Sequence, residues 1–121
     1  MSVLKISLDE AYVFDMMSVF DIKLKILTDD KLSKTIQKHN LMKTEIISQL
    51  GEELFEKIIS SQEYKNMIST NQKVFDLIDL SKTDNGLAKQ TDDANYQRHV
   101  KKMALQKKFF DGELTEVKNR E

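Results

Sequence analysis

The amino-acid sequence predicts an all-α protein, an antiparallel helical bundle of about four main helices with one additional short helix. Proline is absent from the 121 residues, and glycine occurs only three times. These two residue types interrupt helices most strongly, so their scarcity favours long unbroken helices. The glycines lie where the helical patterns of apolar residues stop, as helix C-terminal caps do: Gly51, Gly86 and Gly112.

The composition is that of one folded domain over residues 1–121. Hydrophobic residues make up 40% and charged residues 32% of the chain, which excludes a disordered tail. The longest apolar runs have three or four residues, against the ~20 that span a bilayer, so we expect no membrane contact. No cysteine is present and no secretory signal is visible. We therefore expect a cytoplasmic protein, acting in a host cytoplasm or a virion if a phage encodes it.

The charge and the histidine content of the chain limit the classes of partner that it is expected to bind. With 19 basic and 20 acidic residues the net charge is −1, so no overall field attracts nucleic acid. The two histidines, His39 and His99, lack metal-ligand spacing and fit structural positions beside apolar stripes. The sequence therefore predicts no metal site and no cofactor, and it disfavours nucleic acid as a partner.

The first predicted helix covers residues 8–27 and follows a short N-terminal arm, residues 1–7. Ser7 and Glu10 have the spacing of a capping box, in which each side chain binds an amide at the helix start. A helix with two adjacent apolar stripes is typical of a central position in a bundle. One stripe is Val13, Met16, Met17, Phe20, Leu24 and Leu27, and the other is Tyr12, Val19, Ile22 and Ile26.

Capping and turn residues divide the rest of the chain. Thr28 and the two aspartates after it begin a second helix that ends at Gly51, and a capping box at residues 60–63 begins the fourth helix. The turns between consecutive predicted helices are short, which favours antiparallel packing of helices that are adjacent in the sequence. The predicted segments are helices at 31–50, 52–60, 62–80 and 91–110, a loop at 81–91 and a charged tail at 111–121.

Four charged residues that fall on apolar stripes form the candidate site. Asp15 and Lys23 lie within the stripes of the first helix, whereas Arg98 and Lys102 continue into the stripe of the last helix. Because Asp15 and Lys23 are eight residues apart, they do not pair with each other, and each needs a partner on another helix. If the two helices face each other, Asp15 pairs with Arg98 or Lys102, which leaves cationic groups for an anion.

Two interpretations of these four charges stay open. In the first, they are structural ion pairs, or long side chains whose charged ends reach solvent. In the second, they form a polar cluster inside the bundle that binds an anion. An uncompensated buried charge costs several kcal/mol, so both interpretations require compensating contacts with other charges or with water.

Several short motifs resemble those of a small all-helical family of unknown function found in bacteria and phages. The segment DMMSVFDIKL, residues 15–24, is similar to the family's opening D-x-x-[ST]-[IV]-[LF]-[ED]-I-K-L motif. Asn71 followed by Phe75 resembles a central motif that has a tryptophan in place of the phenylalanine. Residues 95–102 and 116–118 resemble the closing N-x-x-R-x-x-x-K and E-x-K motifs.

The resemblance covers most of the chain in order, and it selects the same four charges as the helical pattern. The family has no established activity, so the resemblance implies a helical fold without implying a reaction. The chain departs from the family where the family has a glycine-glutamate pair, a lysine and an acidic residue: at Ala11-Tyr12, Met16 and Tyr96. If members of the family have an anion site, these departures would alter part of it in this chain.

Two functions of different classes follow. The favoured one is a non-enzymatic, self-associating protein-interaction module, because the first helix has two apolar faces that a chain of this length has few helices to cover. Its partner would be a second copy or another protein. The alternative is a small helical enzyme or binding protein for a phosphorylated or carboxylated metabolite, in which Arg98, Lys102 and Lys23 hold the anion and Asp15 orients them or acts as a base. No catalytic constellation is recognisable, which favours a protein that is not an enzyme.

Overall fold

A computed structural model of the chain describes residues 7–81 and 85–110. Within these residues the protein consists of helices without a strand, which confirms the predicted all-α bundle of four long helices and one short helix. The predicted arm up to residue 6 and the predicted tail, 111–121, lie outside the described residues. The elements are α1 (Glu10–Ile26), α2 (Asp29–Leu50), α3 (Glu52–Ile59), α4 (Gln62–Ser81), a 3-10 turn (Asn85–Leu87) and α5 (Ala88–Phe110).

Helix α1 occupies the centre of the bundle and packs against α2, α4 and α5. Along α1 and α4 the contacts run in opposite directions, because Asp15 contacts Asn71 and Asp21 contacts Tyr64. These two helices are therefore antiparallel. The central position of α1 agrees with its apolar character around most of its circumference.

The apolar core is built around four aromatic rings. The ring centroid of Phe14 lies 6.2 Å from that of Phe55, 6.3 Å from that of Tyr64 and 6.3 Å from that of Phe110. Aromatic pairs at such distances stabilise a core beyond the area that they bury. Other core residues surround these rings: Ala11, Met17, Ile46, Ile58, Met67 and Leu105.

The buried face of α1 differs from both predicted stripes. Phe14 and Ser18 are buried although neither stripe contains them, whereas Tyr12 and Ile26 are exposed although the second stripe contains both. The apolar period does not indicate which side of such a helix its neighbours cover, and this is why the prediction is wrong. The whole buried face is Ala11, Phe14, Asp15, Met17, Ser18 and Ile22.

The start of α1 is stabilised from another helix. Asp9 is its N-cap residue and makes no side-chain capping bond, so the predicted box of Ser7 and Glu10 is wrong. Instead, Gln106 of α5 accepts a hydrogen bond from the Ala11 amide at 2.9 Å through Oε1. A tertiary contact thus satisfies one of the amides that a helix start leaves without a partner.

Two later boundaries also differ from the prediction. Ser60 keeps a helical conformation at the end of α3, so Ser61 caps α4, and its hydroxyl accepts a hydrogen bond from the Tyr64 amide at 3.1 Å. Helix α5 begins at Ala88 instead of residue 91, because alanine, lysine and glutamine are good helix formers, and the predicted loop is too long. Gly51 ends α2 as predicted, with a φ of 87° that glycine adopts without steric cost.

Candidate functional site

Asp15 is the centre of the candidate site, and it is only 3% exposed. Arg98 of α5 donates two hydrogen bonds to its carboxylate, from Nε to Oδ1 at 3.3 Å and from Nη2 to Oδ2 at 3.0 Å. Asn71 of α4 donates a third from Nδ2 to Oδ1 at 2.8 Å. Of the two partners that the sequence offered Asp15, Arg98 is therefore the one that forms the ion pair.

Ser18, one turn after Asp15, completes the support of this ion pair. Its hydroxyl donates to the Asp15 carbonyl at 2.6 Å and accepts from Asn71 Nδ2 at 2.6 Å. Ser18 is 0% exposed and Asn71 1%, and buried polar groups at such positions are costly unless they are hydrogen-bonded. The carboxylate is thus oriented by hydrogen bonds from α4 and α5, and Ser18 of α1 holds the Asn71 amide that donates one of them.

A cavity of about 200 Å³ lies beside the ion pair, between α1 and α5. The four residues from α5 recur every three or four positions, which places them on one face of that helix. The Arg98 side chain keeps 34% of its surface exposed, so solvent reaches the cavity along it. The lining is Tyr12, Asp15 and Met16 from α1, with Asn95, Arg98, His99 and Lys102 from α5.

The lining has more positive than negative charge. Lys102 is 6% exposed, and its Nζ lies 4.8 Å from the centroid of the Tyr12 ring, a cation–π distance. Arg98 turns Nε and one hydrogen of Nη2 to Asp15, so Nη1 and the other hydrogen of Nη2 form the adjacent edge of the guanidinium. Among the described residues of the lining, Arg98 and Lys102 carry positive charge and Asp15 carries negative charge.

Lys23 is not part of this arrangement. It does not line the cavity, and its Nζ lies 5.9 Å from the centroid of the Phe20 ring. Eight residues of helix separate it from Asp15, which corresponds to roughly 12 Å along the axis. The structure therefore brings together Asp15, Arg98 and Lys102 of the four predicted charges and places Lys23 elsewhere.

The sequence did not assign three other polar residues to the site. Asn71 occupies a core position of α4, between Met67 and Val74, and Ser18 lies on the buried face of α1. His99, read from the sequence as structural, is 5% exposed and lines the cavity. A polar residue at a core-facing helical position is the signal that would have identified Ser18 and Asn71.

A second polar network lies further along α1. The Tyr64 hydroxyl donates to Asp21 Oδ2 at 2.6 Å, and His39 Nε2 lies 3.0 Å from Asp21 Oδ1. Burial raises the pKa of Tyr64, and the hydrogen bond to Asp21 raises it further. The network joins α1, α2 and α4 and gives the His39 side chain a structural contact.

Comparisons with known proteins find no match: no protein-family model, curated protein or solved structure is similar to the chain. The resemblance to the small helical family therefore stays a prediction. In the part of the chain that the structure describes, none of the helices is both long and apolar enough to span a bilayer. Over the same residues, histidine and acidic side chains form no group of three or more that would hold a metal ion.

Proposed function

We propose that this protein binds a small organic anion in the cavity between α1 and α5. One observation carries the proposal: Arg98, His99 and Lys102 line a single cavity, and among the residues that the structure describes Asp15 is its only acidic lining residue. This is the alternative that the sequence offered beside a self-associating module, without the contribution expected from Lys23.

Burial makes these cations suitable for anion binding. Attraction between opposite charges increases as water is excluded, and Lys102 lies almost wholly inside the protein. The bonds from Asp15 hold the Arg98 guanidinium in one orientation before any ligand arrives, so little side-chain entropy is lost on binding. A fixed guanidinium edge beside an ammonium group recognises carboxylate or phosphate oxygens.

The same geometry supports binding rather than catalysis. Both oxygens of Asp15 already accept hydrogen bonds, Oδ1 from Asn71 and Arg98 and Oδ2 from Arg98. A general base needs an oxygen within reach of the proton that it removes. The contacts of Asp15 therefore support an orienting role, and we propose no reaction for the site.

Thermal unfolding with and without anions tests the proposal. Sodium acetate and sodium phosphate are compared with sodium chloride at constant ionic strength. We expect acetate, phosphate or both to raise the melting temperature, because a ligand at ten times its Kd stabilises the folded state by about 1.4 kcal/mol. Lys102→Met should abolish this increase.

Lys107→Met is the matched control, since Lys107 is an exposed lysine on the same helix. It should keep the full anion-dependent increase of the wild type. An increase that is lost equally in both variants would show nonspecific charge effects. No anion-dependent increase in the wild type would overturn the proposed function.

Self-association is the second candidate function, and the exposure of α1 favours it. Tyr12 and Ile26 are 36% and 60% exposed, and Met16 and Phe20 are half-buried although they are large and apolar. Sedimentation at micromolar concentration should give a mass of at least twice the 14.1 kDa chain. Ile26→Asp should reduce that mass, whereas a monomer at high concentration would exclude this function.

A further inference from the structure

We infer that the ligand of the cavity between α1 and α5 is a short hydroxy acid, and that Asn95 is the residue that recognises its hydroxyl group. The inference rests on the proposed anion-binding function and names the chemical class of the ligand. Three features of the site carry it: the polarity of its surface, the side-chain amide of Asn95 and the position of that amide beside Arg98.

The surface of the cavity is mostly polar, although Tyr12 and Met16 contribute to it. A ligand that offers only carbon and hydrogen beyond its anionic group would displace the water that hydrogen-bonds to this surface without replacing those bonds. Such a loss weakens binding. The polarity of the lining therefore favours a ligand that has a hydrogen-bonding group in addition to its anionic group.

Asn95 supplies a hydrogen-bonding group that the described part of the protein leaves unused. Its side chain is half-buried and lines the cavity, and among the residues that the structure describes none forms a hydrogen bond with its amide. Asn71 differs, because its amide donates to Asp15 and Ser18. The Asn95 amide can accept a hydrogen bond from a hydroxyl group through Oδ1 or donate one to the hydroxyl oxygen through Nδ2.

The position of Asn95 indicates where on the ligand the hydroxyl group lies. Asn95 precedes Arg98 by three residues and therefore lies beside it on one face of α5, roughly 4.5 Å away along the helix axis. A carboxylate on the edge of the guanidinium that Asp15 does not occupy has this amide near the carbon atoms that follow it. A hydroxyl group one or two carbons from the carboxylate fits this arrangement. The cavity of about 200 Å³ is several times the volume that a water molecule needs, so it holds an acid of that length.

A hydroxyl group suits this position better than an ammonium group. Arg98 is a cation, and both oxygens of its partner Asp15 already accept hydrogen bonds. An ammonium group beside the guanidinium would therefore meet a like charge, whereas a hydroxyl group is neutral and both donates and accepts hydrogen bonds. The site thus favours a hydroxy acid over an amino acid of the same length.

NMR titrations of the full chain with four three-carbon probes test the inference. Propionate has the carboxylate alone, lactate and 3-hydroxypropionate add a hydroxyl group, and L-alanine adds an ammonium group. We expect at least one of the hydroxy acids to bind roughly tenfold more tightly than propionate and L-alanine, the upper end for one added hydrogen bond. Asn95→Leu, a substitution of similar volume, should abolish this preference and leave the propionate affinity unchanged.

Gln97→Leu is the matched control, because Gln97 is an exposed amide on the same helix that does not line this cavity. It should keep the preference for the hydroxy acid. If propionate binds and neither hydroxy acid binds more tightly, the anion site stands and the inference is overturned. A preference that persists in Asn95→Leu, or L-alanine that binds as tightly as the hydroxy acids, also overturns it. If no probe binds the wild-type protein, the proposed function fails and the inference fails with it.

Discussion

Phe14 and Asp15 are neighbours in α1, yet they belong to two regions of the molecule that depend on different interactions. Phe14 contacts three other aromatic rings and is 1% exposed. Asp15 is buried almost as fully, but the burial of its carboxylate is compensated by hydrogen bonds from Arg98 and Asn71. One helix thus carries an apolar and a polar buried region within a single turn.

The two buried regions should respond differently to amino-acid substitutions. Apolar contacts are nondirectional, so an aromatic core adapts to a substitution of similar volume. Hydrogen bonds depend on distance and angle, and removing one partner leaves the others buried without compensation. We therefore expect the aromatic region to respond to lost volume and the polar region to respond to lost partners.

The largest expected effect is that of Phe14→Ala. Because Phe14 lies at the centre of the aromatic contacts, we expect the free energy of unfolding to fall by about 3–5 kcal/mol. Phe14→Leu keeps most of the volume and should cost clearly less. Urea unfolding of both variants measures the two effects, and a loss below ~1 kcal/mol for Phe14→Ala would show that the rings do not form the core.

Asp15→Ala should have the next largest effect. It removes the ion pair of Arg98 and leaves the Asn71 amide without its acceptor on Asp15. We expect the free energy of unfolding to fall by about 3 kcal/mol. This is the lower end of the range for a broken buried ion pair, because Arg98 is partly exposed. Asp15→Asn, which keeps the shape and one acceptor oxygen, should cost less. Urea unfolding that places Asp15→Ala within ~0.5 kcal/mol of the wild type would contradict the buried network.

Tyr64 belongs to the aromatic region through its ring and to a polar network through its hydroxyl, so Tyr64→Phe separates the two contributions. Because Tyr64→Phe removes a hydrogen bond to a carboxylate, we expect the free energy of unfolding to fall by about 1.5 kcal/mol at neutral pH. The raised pKa of Tyr64 keeps it protonated in the folded state while an unfolded tyrosine ionises above pH ~10, so this contribution is full below that pH and declines above it.

The difference in unfolding free energy between wild type and Tyr64→Phe should therefore narrow as the pH rises from 9 to 11. Urea unfolding across this range measures it, and Tyr12→Phe serves as the control at a partly exposed tyrosine. A difference that stays constant with pH would show that ionisation of Tyr64 is not linked to unfolding.

Lys23→Ala should have the smallest effect. Lys23 lies outside the cavity, and its contact with the Phe20 ring is worth less than ~1 kcal/mol at a partly exposed position. We expect the variant to keep the anion-dependent increase in melting temperature. Loss of that increase would place Lys23 in the site, as the sequence alone suggested, and would contradict its observed position.

The sequence predicted the fold class and part of the site. The absence of proline and the scarcity of glycine predicted long helices because these residues act locally on the backbone. The charge at Arg98 was recognisable because it continues the apolar stripe of its own helix. The sequence did not show that Lys23 lies outside the cavity or that Asn71 contacts Asp15, because both depend on which side of α1 faces α4 and α5, and a helix that is apolar all round does not reveal that side.

The central claim is that Asp15 fixes one edge of Arg98 while the rest of the cavity receives an anion. The chain has two arginines, Arg98 and Arg120, so the NMR signal of the Arg98 Nε–H group is readily assigned and provides a direct test. During an acetate titration we predict a saturable shift of the Arg98 signal that is absent in Lys102→Met. A change that is only linear, or a saturable shift that persists in Lys102→Met, would contradict the claim.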